Sequence, residues 1–165
     1  MLIAPEEPTD ADQIGEVITA AFRSHPFSAG TEAKIVEALR RNGALSVSLT
    51  ARLGGKIVGH VAFSPVRITR QTGEWYGLGP LAVAPEHQRA GIGHALVARG
   101  LTQLRNAGAA GCVVLGDPKY YARFGFAADE ALVYPGAPPG HFMRVAFHGE
   151  RPSGTVTYDD AFSQA

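Results

Sequence analysis

The sequence predicts a single α/β (α+β) domain in which one mixed sheet carries helices on its faces. Apolar residues recur at helical spacing near the N-terminus and again near the middle of the chain, and strand-like segments lie between and after them. The 20 glycines and 11 prolines mark turns between these segments. The predicted order is two helices, three strands, a helix, a strand, a short helix and two strands. Because 165 residues suffice for one well-buried core, we expect a single domain over residues 1–165.

The N-terminal part of the chain predicts two helices. A cluster of breaking and capping residues at 5–10 precedes apolar positions that run from Ile14 to Phe22, and Thr9 or Asp10 is expected to cap the first turn. The second helix is expected to begin near Thr31. It should end at residues 42–43, where Asn-Gly is a typical stop signal.

Three strands are predicted next. Residues 45–53 alternate between apolar and polar, and the Gly-Gly pair at 54–55 predicts a hairpin turn to a second strand over 56–63. Pro65 is expected to interrupt that strand. The third strand, residues 75–83, should be broken internally by Gly77, Gly79 and Pro80.

Helical periodicity returns over residues 91–107, with Gly108 as the stop signal. The apolar segment 112–115 predicts a central strand that is covered on both faces. A short aromatic helix should follow, which Asp117 can cap, and two further strands are expected near 142–147 and 154–158.

Composition excludes several classes of site. The 15 basic residues balance 15 acidic ones, so nothing in the net charge favours nucleic acid or an anionic membrane as a partner. With one cysteine, the chain has no internal disulfide and no multi-cysteine metal site, and no metal is expected. Cys112 lies in an apolar segment and is expected to be buried rather than nucleophilic. No apolar run is long enough to cross a bilayer, and a cytoplasmic location is expected.

The turn from the third strand into the third helix predicts an anion site. Gly91 and Gly93 leave the amides at the helix N-terminus uncovered, and Gln88 and Arg89 add donors. The loop lacks the Gly-Lys-Ser/Thr ending of a Walker A motif, and it lacks the first glycine of Gly-x-Gly-x-x-Gly. A nucleotide-binding domain shares the anion loop, but these details argue against it.

The segment Gln88-Arg89-Ala90-Gly91-Ile92-Gly93 resembles the acyl-CoA motif Gln/Arg-x-x-Gly-x-Gly/Ala of the GNAT acetyltransferases. The preceding Leu-x-Val-x-Pro at 81–85 is similar to the strand end that leads into that motif. The resemblance implies a mostly antiparallel central sheet, a splayed pair of strands and acetyl-CoA as the acetyl donor. It implies that the amides of residues 89–93 hold the pyrophosphate and that residues 81–83 meet the pantetheine arm and the thioester. The implied cofactor-binding residues are Leu81, Ala82, Val83, Gln88, Arg89, Ala90, Gly91, Ile92, Gly93, His94, Tyr120 and Arg123.

A second segment agrees with this resemblance. Tyr121 lies four residues before Gly125 in a Tyr-x-x-x-Gly-Phe ending, which implies that Tyr121 is the general acid for the departing thiolate. The sequence around this segment is most similar to that of the bacterial YhbS-like branch of the family. Lys119 and Arg123 either touch the CoA phosphates or form a solvated helix face.

The expected function is direct transfer of an acetyl group from acetyl-CoA to a primary amine of a small molecule or protein. An acyl-CoA-binding module without turnover is the alternative. The general base is open between Glu74, which ranks first, and the histidines at 60 and 25. Trp75, Tyr76 and the loop 135–139 are expected to shape the acceptor pocket. A homodimer is possible, with contacts through the C-terminal strands and the tail after residue 158.

Overall fold

The computed structural model describes residues 1–26, 28–71, 73–149 and 151–164. The strands in these ranges are β1 (Leu2–Pro5), β2 (Val47–Leu53), β3 (Lys56–Ile68), β4 (Trp75–Val83), β5 (Gly111–Leu115), β6 (Ala127–Ala128), β7 (Leu132–Val133), β8 (Phe142–Ala146) and β9 (Gly154–Thr157). The α-helices are α1 (Ala11–Phe22), α2 (Glu32–Arg41), α3 (Ile92–Asn106), α4 (Pro118–Tyr121) and α5 (Ala161–Gln164). Short 3₁₀ turns precede α1 and α3 and follow α4.

The strands form one mixed, mostly antiparallel sheet in the order β1-β2-β3-β4-β5-β8-β6. β9 pairs with the far end of β3 and also with β7. Among the described pairs, only β4–β5 and β7–β9 are parallel. A parallel neighbour requires a crossover, and α3 provides it between β4 and β5. The predicted sheet class is confirmed.

Helices cover both faces of this sheet, as predicted. Alternate residues of β3 point to opposite faces: Val61 and Phe63 pack with α3, whereas Ala62 packs with α1 and α2. Cys112 on β5 is fully buried against the α3 side, and burial raises the pKa of its thiol, as expected for a structural cysteine. No helix in the described ranges is long and apolar enough to cross a membrane.

The central feature of the sheet is the separation of β4 from β5. The two strands pair only over residues 75–78 of β4, and beyond Leu78 only β3 remains beside it. At this point the pairing of β4 with β3 changes register, and Gly79 and Pro80 form the irregular segment. The predicted break within the third strand is therefore the splay that opens a gap in the sheet.

Two local predictions were wrong. Pro65 does not interrupt β3, because β2 ends its pairing at Phe63 and β9 begins at Arg67, which leaves Pro65 in a stretch with one neighbouring strand. Asp10 does not cap α1. Its buried carboxylate instead accepts the amide of Glu7 at 2.7 Å and forms an ion pair with the guanidinium of Arg52 at 2.5 Å.

The structure also contains an N-terminal strand, β1, which the sequence did not predict. β1 adds to the edge of β2, with Leu2 opposite Arg52 and Pro5 opposite Leu49. Four residues are too few to show a clear alternation. The hydrogen bonds to β2, rather than a local signal, define this strand.

Candidate active site

A cleft of about 610 Å³ occupies the gap between β4 and β5. Its walls come from the splayed half of β4, the C-terminal end of β5, α4, the α1–α2 connection and the C-terminal segment. A second cavity of about 380 Å³ adjoins it at the start of α3. The side chains shared by both cavities are Leu81, Val83, Gln88 and Tyr120.

Ala82 is the one predicted contact on β4 that faces away from the cleft. Ala82 lies opposite His60, and two residues further on the amide of Ala84 donates to the carbonyl of Val58 at 2.8 Å. Hydrogen-bonded and non-hydrogen-bonded pairs alternate in an antiparallel ladder, so Ala82 exchanges its backbone hydrogen bonds with His60. Its side chain is buried under α1. The prediction that Ala82 contacts the cofactor is therefore not supported by its position.

The same alternation turns the backbone of Leu81 and Val83 into the cleft. These residues are in non-hydrogen-bonded positions relative to β3, so their N–H and C=O groups point toward the side that β5 has left. The side-chain amide of Gln88 donates to the carbonyl of Val83 at 3.1 Å, which agrees with this orientation. The splay thus supplies a row of backbone donors and acceptors for an extended ligand.

The start of α3 provides an anion-binding site. Arg89 and Gly91 both adopt left-handed conformations, with φ of 63° and 86°. The amide of Ala95 bonds to the carbonyl of Gly91 at 3.0 Å, so the amides of Ile92, Gly93 and those beside them precede the first bond of the helix. Left-handed residues in such a loop turn successive amides toward one point.

Basic side chains surround this helix terminus. Arg89, His94 and Arg123 line the cavity, and no aspartate or glutamate is among its described lining residues. The guanidinium of Arg123 lies 4.6 Å from the ring centroid of Tyr120, and the His94 ring is 4.8 Å from that of Phe124. These contacts hold two of the basic groups over the cavity. Ala90, a predicted cofactor contact, does not line this cavity. Lys119 was predicted either to touch the phosphates or to be solvated, and it does not line the cavity either.

Tyr120 and Tyr121 lie side by side on α4, just after the end of β5, and Tyr120 is at the junction of the two cavities. A Cβ atom added at Gly93 would lie 2.9 Å from the hydroxyl of Tyr120, so this hydroxyl is directly over the start of α3. Tyr121 lines only the larger cleft, where its ring packs edge-on against Phe126 with centroids 5.8 Å apart. Burial raises the pKa of Tyr121, which keeps its phenol neutral.

α4 itself follows the predicted pattern. The side chain of Asp117 accepts the amide of Lys119 at 3.0 Å, and Pro118 occupies the first turn. This cap fixes where the two tyrosines enter the cleft. Gly116 is required for the same reason, because a Cβ atom there would lie 2.5 Å from the ring of Tyr121.

The structure separates the three candidate bases. Glu74 is exposed at the start of β4, at the end of the strand away from the splay, and it is absent from the cleft lining. His60 is fully buried, lies 2.8 Å from the hydroxyl of Ser48, and burial lowers its pKa to about 4. Only His25 lines the cleft, together with Glu32 from α2, which the sequence did not single out.

The acceptor-side aromatic residues also differ from the prediction. Trp75 is buried beneath the other part of the sheet, and neither it, Tyr76 nor the loop 135–139 lines the cleft. Besides Tyr120 and Tyr121, the aromatic residues that line the cleft are Phe22, Tyr134, Tyr158 and Phe162. They come from three separate segments of the chain, so no single local pattern joins them. The tail after residue 158 and β9 pack within the chain itself, while a homodimer stays a prediction.

Comparison with known proteins identifies the family. The model of the acetyltransferase (GNAT) family matches residues 12–126. A curated Escherichia coli K12 protein, "Uncharacterized N-acetyltransferase YhbS", is 41% identical over 127 residues, which cover 76% of this chain and 73% of that protein.

Two solved structures are similar along nearly the whole chain. A GNAT family acetyltransferase from Brucella melitensis, solved in complex with acetyl-CoA, has a TM-score of 0.88 and 46% identity, covering 98% of this chain and 97% of that chain. The Escherichia coli YhbS structure, solved with CoA, has a TM-score of 0.87 and 36% identity, covering 98% and 91%. The predicted fold, the YhbS-like resemblance and the acyltransferase class are confirmed. This chain belongs to the GNAT acetyltransferase family.

Proposed function

We propose that the chain is an acetyl-CoA-dependent N-acetyltransferase that moves the acetyl group directly from CoA to a primary amine. The observation that carries this proposal is the gap between β4 and β5, where the backbone of Leu81 and Val83 faces the cleft and the start of α3 adjoins it. Acetyl-CoA in the Brucella structure and CoA in the Escherichia coli structure support the choice of cosubstrate.

The two cavities suit the two parts of this cosubstrate. The pyrophosphate fits the smaller cavity, where the amides before Ala95 and the guanidinium groups of Arg89 and Arg123 supply donors and positive charge. The pantetheine arm carries amides that can pair with the exposed backbone of Leu81 and Val83, much as an added strand would. This arrangement leads the thioester to the middle of the larger cleft.

Transfer requires a polarised carbonyl and a proton for the leaving group. The amine nitrogen attacks the thioester carbonyl carbon, the C–S bond breaks, and the thiolate takes a proton. The N–H of Val83 is oriented to donate to the carbonyl oxygen as negative charge develops there. Tyr121 is the proton donor in this proposal, since it lines the cleft and is held neutral by burial.

The incoming amine must lose a proton on the opposite side of the cleft. His25 and Glu32 are the titratable residues of the α1–α2 region that line this side, and either can accept the proton through water. Glu74 has no such position, so the base proposed first from the sequence is replaced by this pair.

Calorimetric titration of acetyl-CoA, with ATP and NAD as controls, tests the proposal. The wild type is expected to bind acetyl-CoA in the micromolar range, roughly the range of common KM values, and not the two nucleotides. Gly91→Glu places a carboxylate at the anion site and should abolish binding. Gly43→Glu is the matched control, since Gly43 is also left-handed, with φ of 70°, and also has open space around its Cα. Equal binding by both variants would contradict the proposed site.

A further inference from the structure

The two cavities differ in the charge of their lining residues, which distinguishes a cofactor end from an acceptor end. The smaller cavity at α3 is lined by arginine and histidine side chains. The larger cleft has no lysine or arginine among its described lining residues, and its two carboxylates are Glu32 and Asp117. The positive end suits the phosphates of the cosubstrate, and the other end suits a cation.

Only one of the two carboxylates is positioned for the acceptor. Asp117 caps α4 through its bond to the amide of Lys119, which ties it to the end of β5. Glu32 begins α2, and its two oxygens accept the hydroxyl of Ser28 at 2.7 and 2.9 Å. This bond orients the carboxylate without neutralising it, so the acceptor end offers a single fixed negative charge.

The rest of the acceptor end is an aromatic wall, defined here as Tyr134, Tyr158 and Phe162. The ring centroids of Tyr134 and Tyr158 are 5.0 Å apart, and those of Tyr158 and Phe162 are 4.9 Å apart. Phe22 and Ile35 also line the cleft, and Ile35 belongs to the same apolar cluster as Phe162. Rings at this spacing present continuous apolar surface, which favours a flat apolar group over a hydroxylated one.

The aromatic wall is held rigidly in the fold. A Cβ atom at Gly77 would lie 2.5 Å from the Tyr158 ring, so this ring rests on the backbone of β4 just before the splay. The side-chain amide of Asn42 donates to Asp159 at 3.0 Å, and α5 packs against α2 with Ala161 fully buried. The C-terminal segment is therefore a fixed boundary of the acceptor end.

We propose that the acceptor is a small monoamine bearing an aromatic or similarly flat apolar group, with its ammonium drawn to Glu32 and its ring against the aromatic wall. This inference rests on the proposed acetyltransferase function. A polyamine would bring several charges to one carboxylate, and an aminoglycoside would place many hydroxyls against ring faces, where the two tyrosine hydroxyls are too few to replace their hydrogen bonds to water. A lysine side chain of a protein lacks the flat group that the wall accommodates.

A panel of amines, assayed by thiol release and by mass spectrometry of the acetylated product, tests the inference. The panel compares 2-phenylethylamine with spermidine, kanamycin and a lysine-containing peptide. We expect kcat/KM to be highest for 2-phenylethylamine, by about tenfold or more, a factor that corresponds to about 1.4 kcal/mol. Higher kcat/KM for any other member would overturn the proposed acceptor class.

Two variants test whether the aromatic wall and Glu32 recognise the amine. Phe162→Leu keeps an apolar side chain but removes the ring, and should lower kcat/KM for 2-phenylethylamine by roughly two- to tenfold, as expected for the loss of one aromatic contact. Glu32→Gln should lower kcat/KM for the amine by about tenfold or more, since it removes the paired charge and one of the two proposed proton acceptors. Unchanged kinetics in both variants would overturn the assignment of the acceptor end.

The affinity for acetyl-CoA separates this inference from the proposed function. Both variants should bind acetyl-CoA as the wild type does, because neither residue lines the cavity at α3. If the wild type binds acetyl-CoA and acetylates another amine, the acceptor class is wrong while the acetyltransferase function stands. If acetyl-CoA does not bind, the proposed function itself fails.

Discussion

Replacing Tyr121 with phenylalanine removes one hydroxyl from the centre of the cleft and little else. The ring contacts with Phe126 and Tyr120, at centroid distances of 5.8 and 4.9 Å, do not involve the hydroxyl and should survive. A positioned general acid contributes about 10²–10⁴ in rate. The variant should therefore lose that factor in kcat, which is about 2.7–5.5 kcal/mol of transition-state stabilisation.

Single-turnover measurements with a saturating amine are the appropriate assay, because they separate the chemical step from product release. Acetyl-CoA affinity, measured by calorimetry, should be unchanged in Tyr121→Phe. Tyr120→Phe is the matched control: its hydroxyl lies over Gly93, so its loss should affect acetyl-CoA binding more than the chemical step. A wild-type single-turnover rate in Tyr121→Phe would refute the role of this phenol.

The pH dependence follows from the same burial. Because burial raises the pKa of Tyr121, its phenol remains protonated and able to donate throughout the neutral and mildly alkaline range. Loss of activity through ionisation of this group is expected only above a pH of about 10. A decline of the single-turnover rate near neutral pH that disappears in Tyr121→Phe would contradict the raised pKa.

Two further predictions concern stability. Burial lowers the pKa of His60 to about 4 from a usual value of 6.5, so the unfolded chain binds more protons between these values, and the stabilisation present above pH 6.5 is lost as the pH falls toward 4. From pH 7 to pH 5 this loss should reach about 2 kcal/mol in urea unfolding, and His60→Gln should remove it; an equal loss in the variant would contradict the neutral, buried state. Gly77→Ala should destabilise the fold by about 1–3 kcal/mol, because its Cβ atom would lie 2.5 Å from the Tyr158 ring. Gly15→Ala, in α1 with nothing within 4 Å, should instead be neutral or stabilising, and equal effects of the two would refute the close packing at residue 77.

The elements with strong local signals were predictable. Gly43 and Gly108 end their helices with φ of 70° and 90°, as expected of C-terminal glycines, and the Gly54–Gly55 turn joins β2 to β3. The break in β4 at Gly79 and Pro80 was also predictable from the sequence, since both residues disrupt regular strand pairing. What it does to the sheet depends on where β5 ends its pairing, and that is a tertiary property.

The anion site was predictable for a related reason. It is built from consecutive residues at the start of one helix, so a short segment of sequence is enough to predict its anion-binding groups. The backbone orientation of Leu81 and Val83, and the exclusion of Ala82, required the strand register. A shift of one residue would exchange their roles.

The acceptor end could not be derived from local patterns. Glu32, Tyr134 and Phe162 are far apart in the chain, and only the packing of α5 against α2 and the course of the chain after β7 bring them to one cleft. Glu74 was ranked as a base because it precedes the splayed strand. The strand is nine residues long, and the splay is at its other end.

A crystal structure of the chain with acetyl-CoA tests the proposed cosubstrate site most directly. We expect the pantetheine arm to lie between β4 and β5, hydrogen-bonded to the backbone of Leu81 and Val83, with the pyrophosphate at the amides that precede Ala95. The thioester should lie within reach of the hydroxyl of Tyr121. Acetyl-CoA bound elsewhere, or bound with no contact to the exposed backbone of β4, would contradict it.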